Sequence, residues 1–373
     1  EPGTRLGALR SSLAADTGLA RTEVVLPGSH DTASAVLAVP ARGQSGQSPD
    51  WCYISLGTWA LMGIESPRPV VNDQVLSLNF TNEGGVGGTT RLLKNICGLW
   101  LVQECRRVWN ESGRQWSWED VNQLSAAATP RAALIDPDAP DFLNPPNMPE
   151  AIRDFCRRTG QGAPGDEGAV LRCALDSLAL KFRHVLAMCE QLAGRRIETV
   201  HIVGGGTRNR QLCQAAADAC GRRVLAGPIE ATATGNVMMQ AVAAGDVASI
   251  AEAREVCDEA RVSGGAGFSV GEGALASSTG VAGAAATAEV AGNDSLTLWL
   301  TNSSSGRKAY HAPSTASRTT TITIGFFIAS FSPFPFFRFA ELVHQLVSPA
   351  PAHTSSMACG HATCSTSAPA QPA

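Results

Sequence analysis

Short runs of apolar residues alternate along the chain with longer segments in which apolar positions recur every three or four residues. The short runs predict strands at residues 24–26, 51–56, 59–64, 76–80, 199–203 and 223–225. The helical spacing predicts helices at 33–39, 95–109, 117–128, 148–158, 166–193, 210–220 and 231–245. The longest of these, 166–193, carries one broad apolar face, which indicates packing against the core.

The first strand-to-helix turn places three polar residues at the start of a helix. His30, Asp31 and Thr32 follow the apolar run 24–26 and precede the small residues 33–39. The first N–H groups of a helix lack intrahelical partners and hold anions or reacting hydroxyls readily. Asp31 could therefore act on a bound substrate, although the same pattern is also typical of a purely structural N-cap.

Two turns that contain glycine suit the binding of phosphate. Gly57 and Thr58 lie between two predicted strands, where the backbone can approach a ligand and the hydroxyl can reach a phosphate oxygen. Gly204, Gly205 and Gly206 follow the strand 199–203 and precede a helix, and such a loop can lie against a phosphate at the helix N-terminus. The glycine spacing matches neither the P-loop nor the dinucleotide fingerprint. Ordinary tight turns remain the alternative for both.

Two amides belong to the predicted helix 95–109. Asn95 lies at its N-terminal end and Gln103 two turns further on, so the two side chains could face a common cleft. The alternative is a helix cap and a solvated side chain.

Composition and charge exclude several classes of protein. With 373 residues, 44% of them hydrophobic, the chain can bury a large core. Its net charge of -4 gives no basic surface of the kind that nucleic acids require, and no apolar run is long enough for a membrane span. The 11 cysteines are odd in number and fall mostly inside apolar helical segments, which indicates reduced, buried thiols in a cytoplasmic protein.

Six motifs, taken in order, resemble the FGGY carbohydrate kinases, most closely their rhamnulokinase branch. They occupy residues 28–35 (Gly-Ser-His-Asp-Thr-Ala-Ser-Ala), 55–59 (Ser-Leu-Gly-Thr-Trp), 81–85 (Thr-Asn-Glu-Gly-Gly), 93–100, 201–206 and 227–231. The resemblance implies an α/β fold of the actin-like, ribonuclease H-like class, with a mixed sheet flanked by helices. Residues 27–262 would form the C-terminal domain of such a kinase, and residues 1–26 would be a remnant of the N-terminal domain.

The resemblance also implies roles for individual residues. Asp31 would be the catalytic base, His30, Thr32 and Asn95 would contact the sugar, and Thr58, Gln103, Gly204, Gly205 and Asn209 would bind ATP. Mg²⁺ would bridge the phosphates without a protein metal site, and the acceptor would be the 1-hydroxyl of L-rhamnulose. Because the family's first domain has no counterpart here, we expect the isolated chain to transfer phosphate negligibly.

The resemblance ends near residue 262. Residues 263–373 are rich in Gly, Ala, Ser and Thr, and we expect a disordered, low-complexity tail or the product of a wrong reading frame. Two other functions remain open: a non-catalytic nucleotide-binding or interaction protein that keeps the fold, and an actin-like structural protein.

Overall fold

The computed structural model describes residues 1–41 and 50–263 and four strand segments beyond them. The strands are β1 (Arg5–Ala8), β2 (Glu23–Val25), β3 (Trp51–Leu56), β4 (Trp59–Ser66), β5 (Thr81–Gly84), β6 (Thr90–Cys97), β7 (Thr199–Val203), β8 (Arg223–Ala226), β9 (Phe268–Val270), β10 (Ala288–Glu289), β11 (Thr297–Leu300) and β12 (Lys308–Ala309). The helices are α1 (Ser11–Thr17), α2 (Asp31–Leu37), α3 (Asp73–Ser77), α4 (Trp100–Glu111), α5 (Trp118–Ala127), α6 (Met148–Arg158), α7 (Glu167–Ala193), α8 (Arg210–Cys220), α9 (Ala231–Ala244) and α10 (Ile250–Ser263).

A seven-stranded sheet organises the described residues, in the order β5-β6-β4-β3-β7-β8-β9. β3, β7 and β8 are parallel to one another, whereas β4, β5, β6 and β9 pair antiparallel with their neighbours. This mixed sheet is flanked by helices, which confirms the predicted fold class.

Alternation along the strands divides the core between the two faces of the sheet. On one face, Ile54, Met62 and Ile202 belong to the large apolar cluster that also contains the buried side of α7. We call this the α7 face, and it confirms the predicted packing of 166–193. On the other face, Tyr53, Leu93 and Val203 pack with the apolar residues of α2, and this is the α2 face.

Helix α2 lies unusually close to α9. A Cβ atom at Gly235 would lie 1.8 Å from the carbonyl oxygen of Ser34, and one at Gly28 would lie 2.8 Å from the Ser34 nitrogen. Only glycine permits such contacts, because real side chains do not approach backbone atoms so closely. The start of α2 is therefore fixed between α9 and the turn that precedes it.

Three predictions of secondary structure are wrong. The segment 76–80, predicted as a strand, contains the end of α3, whose N-cap Asn72 accepts a hydrogen bond from the Val75 nitrogen at 2.8 Å. The predicted helix from residue 95 begins only at Trp100, because residues up to Cys97 pair with β4. The pattern predicts no strand or helix within residues 1–22, but β1 and α1 lie there, and β1 pairs with β2.

Three further observations concern the cysteines, the helices and the tail. The nine cysteines of the described residues are all buried and form no disulfide. None of the helices in that part of the chain combines the length and apolar character needed to cross a bilayer. Most of the predicted tail, 263–373, lies outside the described residues, although β9 pairs with β8, and β11 pairs with both β10 and β12.

Candidate active site

The two glycine turns meet at one edge of the sheet. β3 and β7 are parallel with Ser55 opposite Val203, so the turns that follow both strands leave the sheet side by side. Gly204 has a φ of 92°, and a Cβ atom there would lie 2.9 Å from the carbonyl oxygen of Leu56. A Cβ atom at Gly206 would lie 2.3 Å from Leu56 Cγ. Glycine is therefore required for this approach of the loop to the end of β3.

The turn between β3 and β4 is joined to the start of α4. The carbonyl oxygens of Gly57 and Thr58 each accept a 3.0 Å hydrogen bond, from the backbone nitrogens of Leu99 and Trp100. The side chain of Thr58 is exposed and its hydroxyl forms no hydrogen bond with the described residues. Gln103 lies in the first turn of α4 and is half-buried, and its backbone nitrogen donates to the carbonyl oxygen of Leu99 at 2.8 Å.

Asn209 already has structural partners. Its Oδ1 accepts a 2.8 Å hydrogen bond from the Leu212 nitrogen and caps α8, while its Nδ2 donates to Asn122 at 3.1 Å. The residue is 9% exposed. Gly205 differs, because a Cβ atom there would meet nothing within 4 Å. Of these two predicted ATP contacts, Gly205 presents an open backbone surface and Asn209 is largely enclosed.

Asp31 and His30 form an exposed ion pair at the start of α2. His30 Nδ1 lies 3.0 Å from Asp31 Oδ1, and the two side chains are 45% and 76% exposed. The Thr32 nitrogen also donates to Asp31 Oδ1, at 2.7 Å, and lies 3.3 Å from His30 Nδ1. Because Nδ1 must carry a proton to donate to the carboxylate, the Thr32 N–H belongs to Asp31. Both close contacts thus converge on Oδ1, and Oδ2 is left for a ligand.

These contacts shift the ionisation of both side chains. The hydrogen bond from His30 lowers the pKa of Asp31 to about 2, and the Thr32 N–H acts in the same direction. The same hydrogen bond raises the pKa of His30 above its ordinary value of 6.5. A carboxylate that accepts such hydrogen bonds stays ionised throughout the neutral range.

The segment 227–232 connects α2 with the triglycine loop. At one end, Thr232 Oγ1 donates to the carbonyl oxygen of Asp31 at 3.3 Å. At the other, the Gly204 nitrogen donates to the carbonyl oxygen of Pro228 at 3.0 Å. The backbone of Asp31 and the predicted phosphate loop are therefore hydrogen-bonded to the two ends of one short segment.

Asn95 reaches the same region from the sheet. It lies in β6 opposite Leu61 of β4, which is itself opposite Ser55 of β3. Alternation places Asn95 on the α2 face together with Leu93, and its side chain is exposed. Asn95 and Gln103 thus belong to different elements, and the predicted shared helix is wrong.

A pair of charged residues that the sequence reasoning did not select lies close by. Arg91 and Glu83 form an ion pair at 2.9 Å on β6 and β5, and the Arg91 side chain is 1% exposed. The charges of Glu83 and Arg91 both act on the pKa of His30. The available signal was an arginine directly before the buried apolar residues Leu92 and Leu93 of β6.

No cluster of three or more His, Cys, Asp or Glu side chains suitable for a metal ion occurs in the described part of the chain. Cys359, His361 and Cys364 lie outside the described residues.

Comparison with known proteins decides the family. Residues 52–244 match the C-terminal domain of the FGGY family of carbohydrate kinases. The chain belongs to this family. The match covers both glycine turns, Asn95 and Gln103, and the predicted membership is confirmed.

Curated FGGY relatives include rhamnulokinases from several bacteria. The chain is 45% identical over 255 residues to that of Bacteroides thetaiotaomicron, covering 68% of the chain and 51% of the relative. It is 41% identical over 256 residues to that of Bacillus subtilis, covering 69% of the chain and 51% of the relative. These similarities confirm the predicted resemblance to rhamnulokinase. The chain spans about half the length of the curated relatives it matches.

Solved structures of FGGY kinases also resemble the chain. A xylulose kinase from Rhodospirillum rubrum is 20% identical with a TM-score of 0.48, covering 68% of this chain and 49% of that one. A glycerol kinase from Plasmodium falciparum with ADP is 10% identical with a TM-score of 0.41, covering 61% of this chain and 44% of that one.

Proposed function

We propose that the chain is the C-terminal half of a sugar kinase that transfers the γ-phosphoryl group of ATP to the 1-hydroxyl of L-rhamnulose. The observation that carries the proposal is the attachment of Asp31 and Gly204 to opposite ends of the segment 227–232. This arrangement offers a carboxylate to an acceptor hydroxyl and an open glycine backbone to the phosphates of a donor. The similarity to rhamnulokinases supports L-rhamnulose as the acceptor.

Asp31 acts as the catalytic base. Oδ1 is occupied by His30 and Thr32, which hold the carboxylate in one orientation, and Oδ2 accepts the proton of the sugar hydroxyl. Phosphoryl transfer proceeds through a loose transition state, so this proton leaves late, after negative charge has developed on the phosphates. A carboxylate with a pKa of about 2 is a weak base, but it is fully ionised and can orient the nucleophile.

The nucleotide lies against the two glycine turns. Gly204 and Gly205 provide backbone that no Cβ atom covers, Thr58 offers an exposed hydroxyl, and Gln103 lies beside that turn. The described residues offer no cluster of side chains that would hold Mg²⁺ without the nucleotide, and when bound with ATP the ion would neutralise phosphate charge. His30, Thr32 and Asn95 contact the sugar, while Asn209 adjoins the nucleotide from its capping position.

The test is a fusion of the full 373-residue chain to the N-terminal half of the Bacteroides thetaiotaomicron rhamnulokinase. We expect the fusion to phosphorylate L-rhamnulose with ATP, and the isolated chain to do so negligibly because closure of the cleft needs both halves. Asp31→Asn should lower kcat by about 10²–10⁴-fold through loss of the base. Asp154→Asn, an exposed ion-paired carboxylate on α6, is the matched control and should leave kcat unchanged.

Two results would refute the proposal. One is a folded fusion that binds ATP but phosphorylates no sugar, which would favour the non-catalytic nucleotide-binding protein. The other is an Asp31→Asn fusion as active as the wild type.

A further inference from the structure

A buried guanidinium on the α2 face holds a partly exposed carboxylate. Arg91 Nη2 lies 2.9 Å from Glu83 Oε2, and Arg91 Nε donates to the carbonyl oxygen of Gly84 at 3.0 Å. The Glu83 side chain is 27% exposed, although Oε2 itself is buried. Among the described residues, Arg91 is the ion-pair partner of this carboxylate, and neither of its oxygens accepts a hydrogen bond. Oε1 is therefore an acceptor with no partner in that part of the chain.

This pair lies on the face of the sheet that α2 covers. Glu83 is opposite Arg91 in the β5–β6 ladder, and Arg91 shares the α2 face with Leu93. The Glu83 carboxylate is close enough to raise the pKa of His30, and Arg91 is close enough to lower it. The Glu83 carboxylate thus shares the α2 face with the proposed base and acts electrostatically on its partner His30.

The surroundings of Arg91 contain more hydrogen-bonding capacity than the protein itself uses. Arg91 Nη1 and the Tyr53 hydroxyl are both buried without a partner. Burial raises the pKa of the Tyr53 phenol, and the positive charge of Arg91 opposes that shift. The phenol and the guanidinium therefore interact electrostatically. Burying a guanidinium costs several kcal/mol in desolvation. The one hydrogen bond to Gly84 and the ion pair with Glu83 leave part of its hydrogen-bonding capacity unused.

We propose that Glu83 binds hydroxyl groups of the sugar other than the one phosphorylated, and that Arg91 is its positioning residue. A carboxylate held at one oxygen can accept hydrogen bonds from adjacent hydroxyls at the other, and such charge-assisted bonds are about twice as strong as neutral ones. The inference rests on the proposed function and adds a residue that selects the acceptor.

The test uses the active fusion and measures KM separately for each substrate. Glu83→Gln keeps the size of the side chain and removes its charge, so KM for L-rhamnulose should rise at least tenfold while KM for ATP stays within twofold. Glu190→Gln is the matched control, since Glu190 lies 2.8 Å from Arg222, is 24% exposed and belongs to α7 on the other face. This control should change neither KM.

Deoxy analogues of L-rhamnulose identify the hydroxyl that Glu83 binds. Removal of that hydroxyl should raise KM for the wild type about tenfold and should have no further effect on Glu83→Gln. Arg91→Lys should raise KM for the sugar as well, because a single ammonium group cannot reproduce the guanidinium geometry that contacts both Glu83 and the Gly84 carbonyl oxygen. If Arg91→Lys does not fold, the Glu83 variants and the analogues decide the question.

The outcomes separate the two proposals. An active wild-type fusion whose sugar KM is unchanged by Glu83→Gln overturns the role of Glu83 alone. The same holds if Glu83→Gln raises both KM values equally, which would indicate a structural role. A wild-type fusion that phosphorylates no sugar overturns the proposed function, and the role of Glu83 with it.

Discussion

Gly235 tests whether the close approach of α2 and α9 fixes the position of the proposed base. In Gly235→Ala, the new methyl group would lie 1.8 Å from the Ser34 carbonyl oxygen, about 1.5 Å short of ordinary contact. The clash involves backbone atoms, so no side-chain rotation relieves it and one helix must move. Overpacking of this kind costs up to about 3 kcal/mol.

Part of this cost is offset within α9. Replacing glycine by alanine inside a helix stabilises it by about 1 kcal/mol. The net loss of unfolding free energy is therefore about 2 kcal/mol, which lowers Tm by about 4–8 °C in a domain of this size. Because α2 carries Asp31, a shift of about 1 Å should also reduce kcat of the fusion by about 10²-fold.

The assay is thermal and urea unfolding of the full chain followed by circular dichroism. Gly162→Ala is the control, since a Cβ atom there meets nothing within 4 Å, and its stability should stay within about 0.5 kcal/mol of the wild type. A Gly235→Ala chain that unfolds at or above the wild-type temperature would refute the packing argument. Unchanged kcat despite lower stability would show that Asp31 does not move with α2.

The other predictions concern His30 and Asn209. In an NMR titration, the His30 imidazole should titrate above 6.5, and Asp31→Asn should bring its pKa back down, because Asp31 provides the raising hydrogen bond. The contribution of His30 to the free energy of unfolding is thus complete below pH 6.5 and is lost as the pH rises through the pKa of the folded state. The contribution of Asp31 is present above pH 3.8 and is lost as the pH falls towards 2. A His30 pKa unaffected by Asp31→Asn would contradict the pairing. Asn209→Ala should cost about 1–2 kcal/mol through loss of the α8 cap, comparable to Asn147→Ala at α6. In the fusion, only Asn209→Ala should also raise KM for ATP, and equal KM values in both variants would limit Asn209 to capping.

The correctly predicted strands and helices are those whose sequence pattern lies entirely within the element and its adjoining turns. The strand 199–203 and the helix 210–220 agree with β7 and α8, because a β-branched run, three glycines and a helical spacing follow one another directly. The strands around Gly57 and Thr58 agree with β3 and β4 for a similar reason. Each of these motifs contains its own start and stop residues.

The predicted helix at 95–109 is wrong at its start because pairing with a strand distant in the sequence overrides the local spacing of apolar residues. Ile96 and Trp100 fit a helical pattern, but residues 90–97 pair with β4 along its whole length. Gly98, where a Cβ atom would lie 2.5 Å from the Trp59 carbonyl carbon, separates that strand from α4. Such a contact between segments about 40 residues apart cannot be read from either segment alone.

The candidate site was predictable only in part. The residues of the six motifs stand out because polar and glycine residues interrupt apolar runs. The Glu83–Arg91 pair does not stand out in the sequence, because the two residues come together only through the pairing of β5 with β6. The second role of Asn209 as a helix cap likewise depends on where α8 begins.

The parallel arrangement of β3 and β7 has a consequence for how this protein can change during evolution. Both glycine turns leave the carboxyl ends of these strands, whereas the amino ends, at Trp51 and Thr199, lie at the opposite edge of the sheet. A change in chain length just before either strand therefore enters the fold at the edge away from both glycine turns. Such changes should leave Gly57, Thr58 and the triglycine loop in place.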